Sequence, residues 1–230
     1  GQTVAYEQIA LNEATPVTYV ENFSTEKVKI QNKKNDPTIV IASAKATVAF
    51  NKATGLLCQY AVDGKSMLGE GGTLKPNFWR AVTDNDMGAG LQNRLKAWHN
   101  PKMTLTAIAV EKIKESKGTA ATVTARYDMP DVKAKLTLTY KVYGDGTIDV
   151  EQAMTKATPD AKAPNLLRFG MVMDLPYNMD KSQWYGRGPI ENYSDRKLSE
   201  RIGLYSLTAD QQYFPYIRPQ ECGTKSDIRW

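Results

Sequence analysis

Lys133-Ala-Lys-Leu-Thr-Leu-Thr-Tyr-Lys-Val142 decides the fold. Ala134, Leu136, Leu138, Tyr140 and Val142 fall on one face, opposite Lys133, Lys135, Thr137, Thr139 and Lys141. A period of two with one apolar face is the mark of a half-buried strand. Gly144-Asp145-Gly146 follows, and Ile148 and Val150 then alternate with Asp149 and Glu151, so the two runs predict a hairpin.

The same pattern recurs on either side. Ala46, Val48 and Phe50 precede Asn51-Lys52-Ala53-Thr54-Gly55, and Leu56, Cys58, Tyr60 and Val62 follow it, which predicts a second hairpin with these residues facing inward. Leu167, Phe169, Met171, Met173 and Leu175 supply a further face, and Leu166 and Val172 make that run apolar on both sides, as expected near a sandwich centre. One helix is expected from Ala89, where Leu91, Leu95 and Trp98 keep helical spacing until Asn100-Pro101. Residues 1 to 11 read as a strand-like leader, and Asn32 to Pro37 as a linker or turn. Gly1 stands where Met would, and Ser226-Asp227-Ile228-Arg229 runs strand-like into Trp230, so both ends read as cut.

The 230 residues are 41% hydrophobic and 24% charged, enough for a sizeable core, so intrinsic disorder is not expected. No apolar run is long enough to span a bilayer. The net charge of +5 is spread along the chain, with Lys27, Lys29, Lys33 and Lys34 densest, which fits solvated strand faces rather than a nucleic-acid surface. Cys58 and Cys222 make neither a disulfide scaffold nor a paired metal spacing, and leave the compartment unread.

Candidate chemistry rests on the loop carboxylates Asp84, Asp86, Glu191, Asp195, Glu221 and Asp227, since a pair of carboxyl groups held close together can serve as acid and base or nucleophile. The plainer expectation is that they accept turn N–H groups, or that Glu191 and Glu221 pair with Arg187, Arg196 or Arg218. His99 is the only histidine, which excludes a His-rich zinc site and any two-imidazole mechanism. Gly186-Arg187-Gly188 before Pro189 lacks the strand-to-helix setting of dinucleotide binding.

Three strings, in this order, resemble the C-terminal small-chain domain of glycoside hydrolase family 2 β-galactosidases. They are Asn77-Phe-Trp-Arg-Ala-Val-Thr-Asp-Asn-Asp-Met-Gly88, Trp184-Tyr-Gly-Arg-Gly-Pro-Ile-Glu-Asn-Tyr-Ser-Asp-Arg196 and Pro215-Tyr-Ile-Arg-Pro-Gln-Glu-Cys-Gly-Thr-Lys-Ser-Asp-Ile-Arg-Trp230. Val82 stands where that family usually has Pro, Ile190 where a polar residue is common, and Cys222 where Asn or another small polar residue is typical.

The resemblance implies an all-β, antiparallel two-sheet supersandwich, galactose mutarotase-like, with one short helix. Residues 36–230 would form its N-terminal part, and residues 1–35 the end of a preceding immunoglobulin-like domain with its linker. It implies a fragment of a retaining hydrolase of terminal β-D-galactosides, without the catalytic glutamate pair and inactive alone. Asp84, Asn85 and Asp86 would border the substrate pocket, and Arg187, Glu191, Asn192, Asp195, Arg196, Arg218, Glu221 and Asp227 would form a bracing loop network. The implied partners are the TIM-barrel domain of the same chain and the β-galactoside, in a cytoplasmic or periplasmic homo-oligomer, with neither nucleic acid nor membrane. No cofactor is implied here, Mg or Na ions being expected in the family's catalytic domain. The alternative is an autonomous carbohydrate-binding module using aromatics near Trp184 and Tyr216. A free-standing mutarotase-like enzyme is disfavoured, because that chemistry needs more than one histidine.

Overall fold

The structure, a computed structural model, describes residues 1, 6–11, 24–114 and 118–229. In chain order its strands are β1 (Lys29–Gln31), β2 (Thr38–Ala42), β3 (Ala46–Asn51), β4 (Leu57–Val62), β5 (Lys65–Ser66) and β6 (Leu74–Asn77). Two short helices follow, α1 (Asp84–Gly88) and α2 (Leu91–Arg94), and then β7 (Thr104–Lys114), β8 (Thr119–Met129), β9 (Ala134–Tyr143), β10 (Ile148–Lys156), β11 (Gly170–Met173), β12 (Lys181–Gly188) and β13 (Arg201–Thr208). The chain divides into two compact units, Asn22–Tyr177 and the smaller pair of segments Gly1–Glu21 with Asn178–Trp230.

The larger unit is an antiparallel sandwich. One sheet runs β1-β2-β3-β4-β6-β11, with β5 on β4, and the other runs β10-β9-β8-β7. β9 keeps the alternation that its sequence carries: Leu136, Leu138, Tyr140 and Val142 are all at most 1% exposed. They share one core with Val123 and Tyr127 of β8 and with Ile41, Val48, Phe50 and Leu57 of the facing sheet. The Phe50 and Tyr140 rings meet across the gap at 4.9 Å. The β9–β10 hairpin closes as expected, Tyr143 N donating to Thr147 O and Gly146 N to Tyr143 O.

Four expectations are corrected. In the β3–β4 hairpin, Ala49 pairs with Gln59 and Phe50 with Leu57, so Cys58 is an extra residue in a bulge. The bulge breaks the alternation, and Leu57 rather than Cys58 is fully buried. The helix expected from Ala89 is broken instead: α1 begins at Asp84, Gly90 is left-handed at φ 68°, and a 3₁₀ turn, Lys96–Trp98, ends the segment. Leu95 and Trp98 still reach the core.

The apolar run around Met171 lies not at a centre but at the end of its sheet, paired only with β6. Met171 and Met173 pack on the core, while Phe169, Val172 and Leu175 are 46%, 37% and 50% exposed. Apolarity on both faces therefore does not report a central position. Ser226–Arg229 forms no strand, although Arg187 N donates to Ser226 O and Arg229 N to Tyr185 O, because Asp227 turns left-handed at φ 53°.

In the smaller unit β12 and β13 pair in full register from Lys181↔Thr208 to Gly188↔Arg201. Of the expected leader strand, residues 2–5 lie outside the described residues, and residues 6–11 form no strand. Gln8 nevertheless grips the β13 edge, its side chain donating to Ile202 O and accepting from Ile202 N.

Truncation of a fully packed side chain leaves a cavity, so Leu138→Ala is expected to cost about 2–5 kcal/mol in urea unfolding. Leu198→Ala, at a side chain 81% exposed, is expected to stay within about 0.5 kcal/mol. Gly55 sits at φ 72° with its missing Cβ facing the Tyr127 hydroxyl, so Gly55→Ala is expected to cost roughly 1–3 kcal/mol.

Candidate functional site

The first candidate segment is a helix start. Thr83 caps α1: its hydroxyl accepts from Asp86 N at 3.3 Å, and the Asp86 carboxylate accepts from Thr83 N at 2.9 Å. This reciprocal pair satisfies two N–H groups that a helix start otherwise leaves open. Arg80 Nη1 reaches Asp86 Oδ2 at 2.5 Å and the Ala81 carbonyl at 3.1 Å. Burial alone would push the Asp86 carboxyl up, but the Arg80 and Thr83 hydrogen bonds outweigh it and hold it below its ordinary value. Of the three residues expected at a pocket rim, Asp86 is thus turned inward as a brace, while Asp84 and Asn85 are exposed on the first turn.

The smaller unit carries a denser network, built where β12 ends in the cis Gly188–Pro189 bond. Arg187 Nε donates to Asp227 Oδ2 at 2.6 Å, and its Nη1 donates to the carbonyls of Glu200 at 2.7 Å and Lys197 at 3.2 Å. Lys197 Nζ takes the other Asp227 oxygen at 3.1 Å. One guanidinium therefore ties the end of a strand to two loops.

Glu191, whose side chain is 1% exposed, is fully satisfied. Its Oε1 accepts from Arg196 at 2.6 Å and from the Tyr216 hydroxyl, and its Oε2 from Gly223 N at 2.8 Å. Asn192, 0% exposed, accepts from the Ser226 N–H and hydroxyl and donates to Ile190 O. The Tyr193 hydroxyl reaches Glu221 O at 3.2 Å, and Arg196 lies over the Tyr193 ring at 4.6 Å. Asp195 and Arg218 are exposed. Lys197, Glu200, Tyr216 and Ser226 belong to the network although the sequence reading did not assign them to it. No spacing betrays their part in it, because the β12–β13 loop and the segment after Gln212 bring them together.

The aromatics expected to bind sugar are occupied. Trp184 is 6% exposed, donates from Nε1 to Arg187 O, and lies between Tyr205 at 5.7 Å and the Lys225 ammonium at 5.2 Å. The Tyr216 hydroxyl is committed to Glu191. His99 meets the Trp79 ring edge-on at 5.1 Å. Among the described residues no group of three or more His, Cys, Asp or Glu could hold a metal ion, and no helix is long and apolar enough to cross a membrane.

The β-galactosidase small-chain family model matches residues 42–230. The chain belongs to that family. It is 32% identical over its whole length to a β-galactosidase of Priestia megaterium, covering 21% of that protein. It is 32% identical to one of Vibrio cholerae, with 82% of the chain and 19% of the relative aligned. With one of Lactobacillus delbrueckii subsp. bulgaricus it shares 38% identity over 66% of the chain and 15% of the relative. The chain thus spans about a fifth of the length of the curated relatives it matches.

Within this small-chain domain the Arg187–Asp227 pair sets an acid sensitivity. Asp227 is held below the ordinary carboxylate range first by Arg187 and then by Lys197. A depressed folded value makes its contribution complete above the unfolded value of about 3.9 and lost as the pH falls through the folded one. Asn tolerates the left-handed backbone, so Asp227→Asn isolates the charge. At pH 7 it is expected to lower the unfolding free energy by about 1 kcal/mol, the pair being partly exposed. In urea unfolding the difference between variant and parent should shrink at pH 3; an equal loss at both values would remove charge as the cause.

Proposed function

We propose that this domain serves a retaining β-galactosidase as an accessory segment, shaping the rim of the active site and supporting a catalytic TIM barrel elsewhere in the same chain. The observation that carries this reading is coverage: the entire sequence aligns with only 21% of a β-galactosidase. The chemistry proposed for the whole protein is hydrolysis of terminal β-D-galactosides by double displacement through a galactosyl-enzyme intermediate. That reaction needs two free carboxyl groups about 5–5.5 Å apart. Here the buried Asp86, Glu191, Glu200 and Glu221 each accept hydrogen bonds from neighbouring loops, which supports a bracing role and an isolated domain without turnover.

In this reading Asp84 and Asn85 contribute to the rim, and Asp86 fixes the turn that presents them. The network around Arg187, Glu191, Asn192, Asp195, Arg196, Arg218, Glu221 and Asp227 keeps its loops in shape. Any Mg or Na ion sits in the barrel domain, and the whole protein is a homo-oligomer.

The test is a chimera in which this sequence replaces the matching segment of the Priestia megaterium β-galactosidase. Hydrolysis of a nitrophenyl β-D-galactoside should be retained. Asp84→Ala and Asn85→Ala should each raise KM about three- to tenfold with kcat nearly unchanged, the pattern of a lost binding contact. An active chimera indifferent to both substitutions would sink the rim assignment.

A further inference from the structure

The smaller unit holds a cleft of about 300 Å³ beside the Glu191 end of this network. Ile190, Leu207, Tyr213 and Phe214 supply its apolar walls, and Lys225 and Gln212 its polar ends, with the Glu191 side chain behind. Tyr213 is 69% and Phe214 38% exposed, so both present ring surface. Phe214 is held in place: its ring meets Tyr216 at 4.6 Å, and Tyr216 is fixed by Glu191. A rigid exposed ring beside a cleft is a platform that gains from being covered.

The polar groups narrow the ligand. Lys225 is half-buried and pairs with no carboxylate among the described residues; its ammonium lies over the Trp184 ring and makes one long hydrogen bond, 3.4 Å to Gly223 O, which leaves donors to spare. Gln212 Nε2 donates to Ser182 Oγ at 2.8 Å, leaving its carbonyl oxygen as an acceptor. Burial pushes the Lys225 amine down, while the nearby Glu191 and Glu200 carboxylates pull it back up. An entering anion would face the Glu191 and Glu200 carboxylates and an entering cation the Lys225 ammonium, so the groups around the cleft oppose a net charge of either sign. A neutral molecule with both hydroxyl donors and acceptors, and one apolar face, satisfies every group present.

We infer that this cleft binds a single neutral hexopyranose, its apolar face on Phe214 and Tyr213 and its hydroxyls shared between Lys225 and Gln212. A cavity of this size lies at the small end of ligand sites, which fits one ring rather than an oligosaccharide. The site stands on this cleft alone and does not depend on the rim role of Asp84 and Asn85.

The experiment is a two-dimensional NMR titration of the intact 230-residue chain with methyl β-D-galactopyranoside and methyl β-D-glucopyranoside, with cyclohexanol and acetate as comparison probes. The expected result is saturable shifts at the amides of Ile190, Phe214 and Lys225 with a dissociation constant on the order of 1 mM. Lys225→Met should weaken binding about tenfold, the loss of charge-assisted hydrogen bonds. Tyr213→Ala, at a residue 69% exposed, should weaken it as well, which keeps the test decisive if Phe214→Ala disturbs the fold. Absence of saturation up to about 50 mM sugar would overturn the assignment. So would equal responses to cyclohexanol or acetate, or sugar shifts untouched by both Lys225→Met and Tyr213→Ala.

Discussion

The contact of Phe50 with Tyr140 across the sandwich is the constraint on which the larger unit depends. It can form only if β3 and β9 both turn their odd or even residues inward at the same depth, so it locks two registers at once. β9 is bonded on both sides, to β8 and β10, and β3 lies between β2 and β4, so one aromatic pair joins the middles of two sheets. The Tyr140 hydroxyl is buried in this core with no hydrogen-bond partner among the described residues. That unsatisfied group costs free energy, which the packing of its ring must exceed.

The smaller unit solves the same problem by other means. Two strands alone bury too little apolar surface to hold a fold. Here charged and amide groups take over: Arg187 bonds Asp227 and two carbonyls, Glu191 accepts three hydrogen bonds, and Asn192 ties its own loop to the Thr224–Ser226 segment. Burying such groups is costly unless every donor and acceptor is met, and these are met with short, directional bonds. The result fixes loop shape more than it adds stability. A surface that must keep its outline is better made from directional bonds than from interchangeable apolar contacts.

Much of this was legible in the residues, and the failures have physical causes. The alternation in β9 survived intact because nothing interrupts it. In β4 a single extra residue, Cys58, moved the buried position to Leu57 while Tyr60 stayed on the core, and a bulge leaves no mark in composition. The helix break at Gly90 did have a signal, a glycine able to take φ 68°, as did the Thr83 and Asp86 pair that starts α1. The apolar run at Met171 misled because a sequence shows which residues shun water and not which face the described fold covers. In the network, Arg196 was among the partners expected for Glu191, five residues away, and the two do pair. Arg187 and Asp227 lie 40 apart, and only the course of Ser226–Arg229 beside β12 brings them together.

The aromatics give the sharpest case of position deciding role. Trp184 looks like a sugar platform in the sequence, yet its ring is walled by Tyr205 and Lys225 and its N–H is spent on a carbonyl. Phe214, with no polar atom and no motif of its own, keeps a ring surface in the open because Tyr216 and Glu191 hold it there. A residue's chemistry sets what it could do, but the hydrogen bonds of its neighbours decide whether that surface is still free. Burial separates Asp86, turned inward onto Arg80 and Thr83, from the exposed Asp84 and Asn85 of the same turn. Buried groups in this domain are therefore better read as what hold the exposed ones in place than as sites themselves.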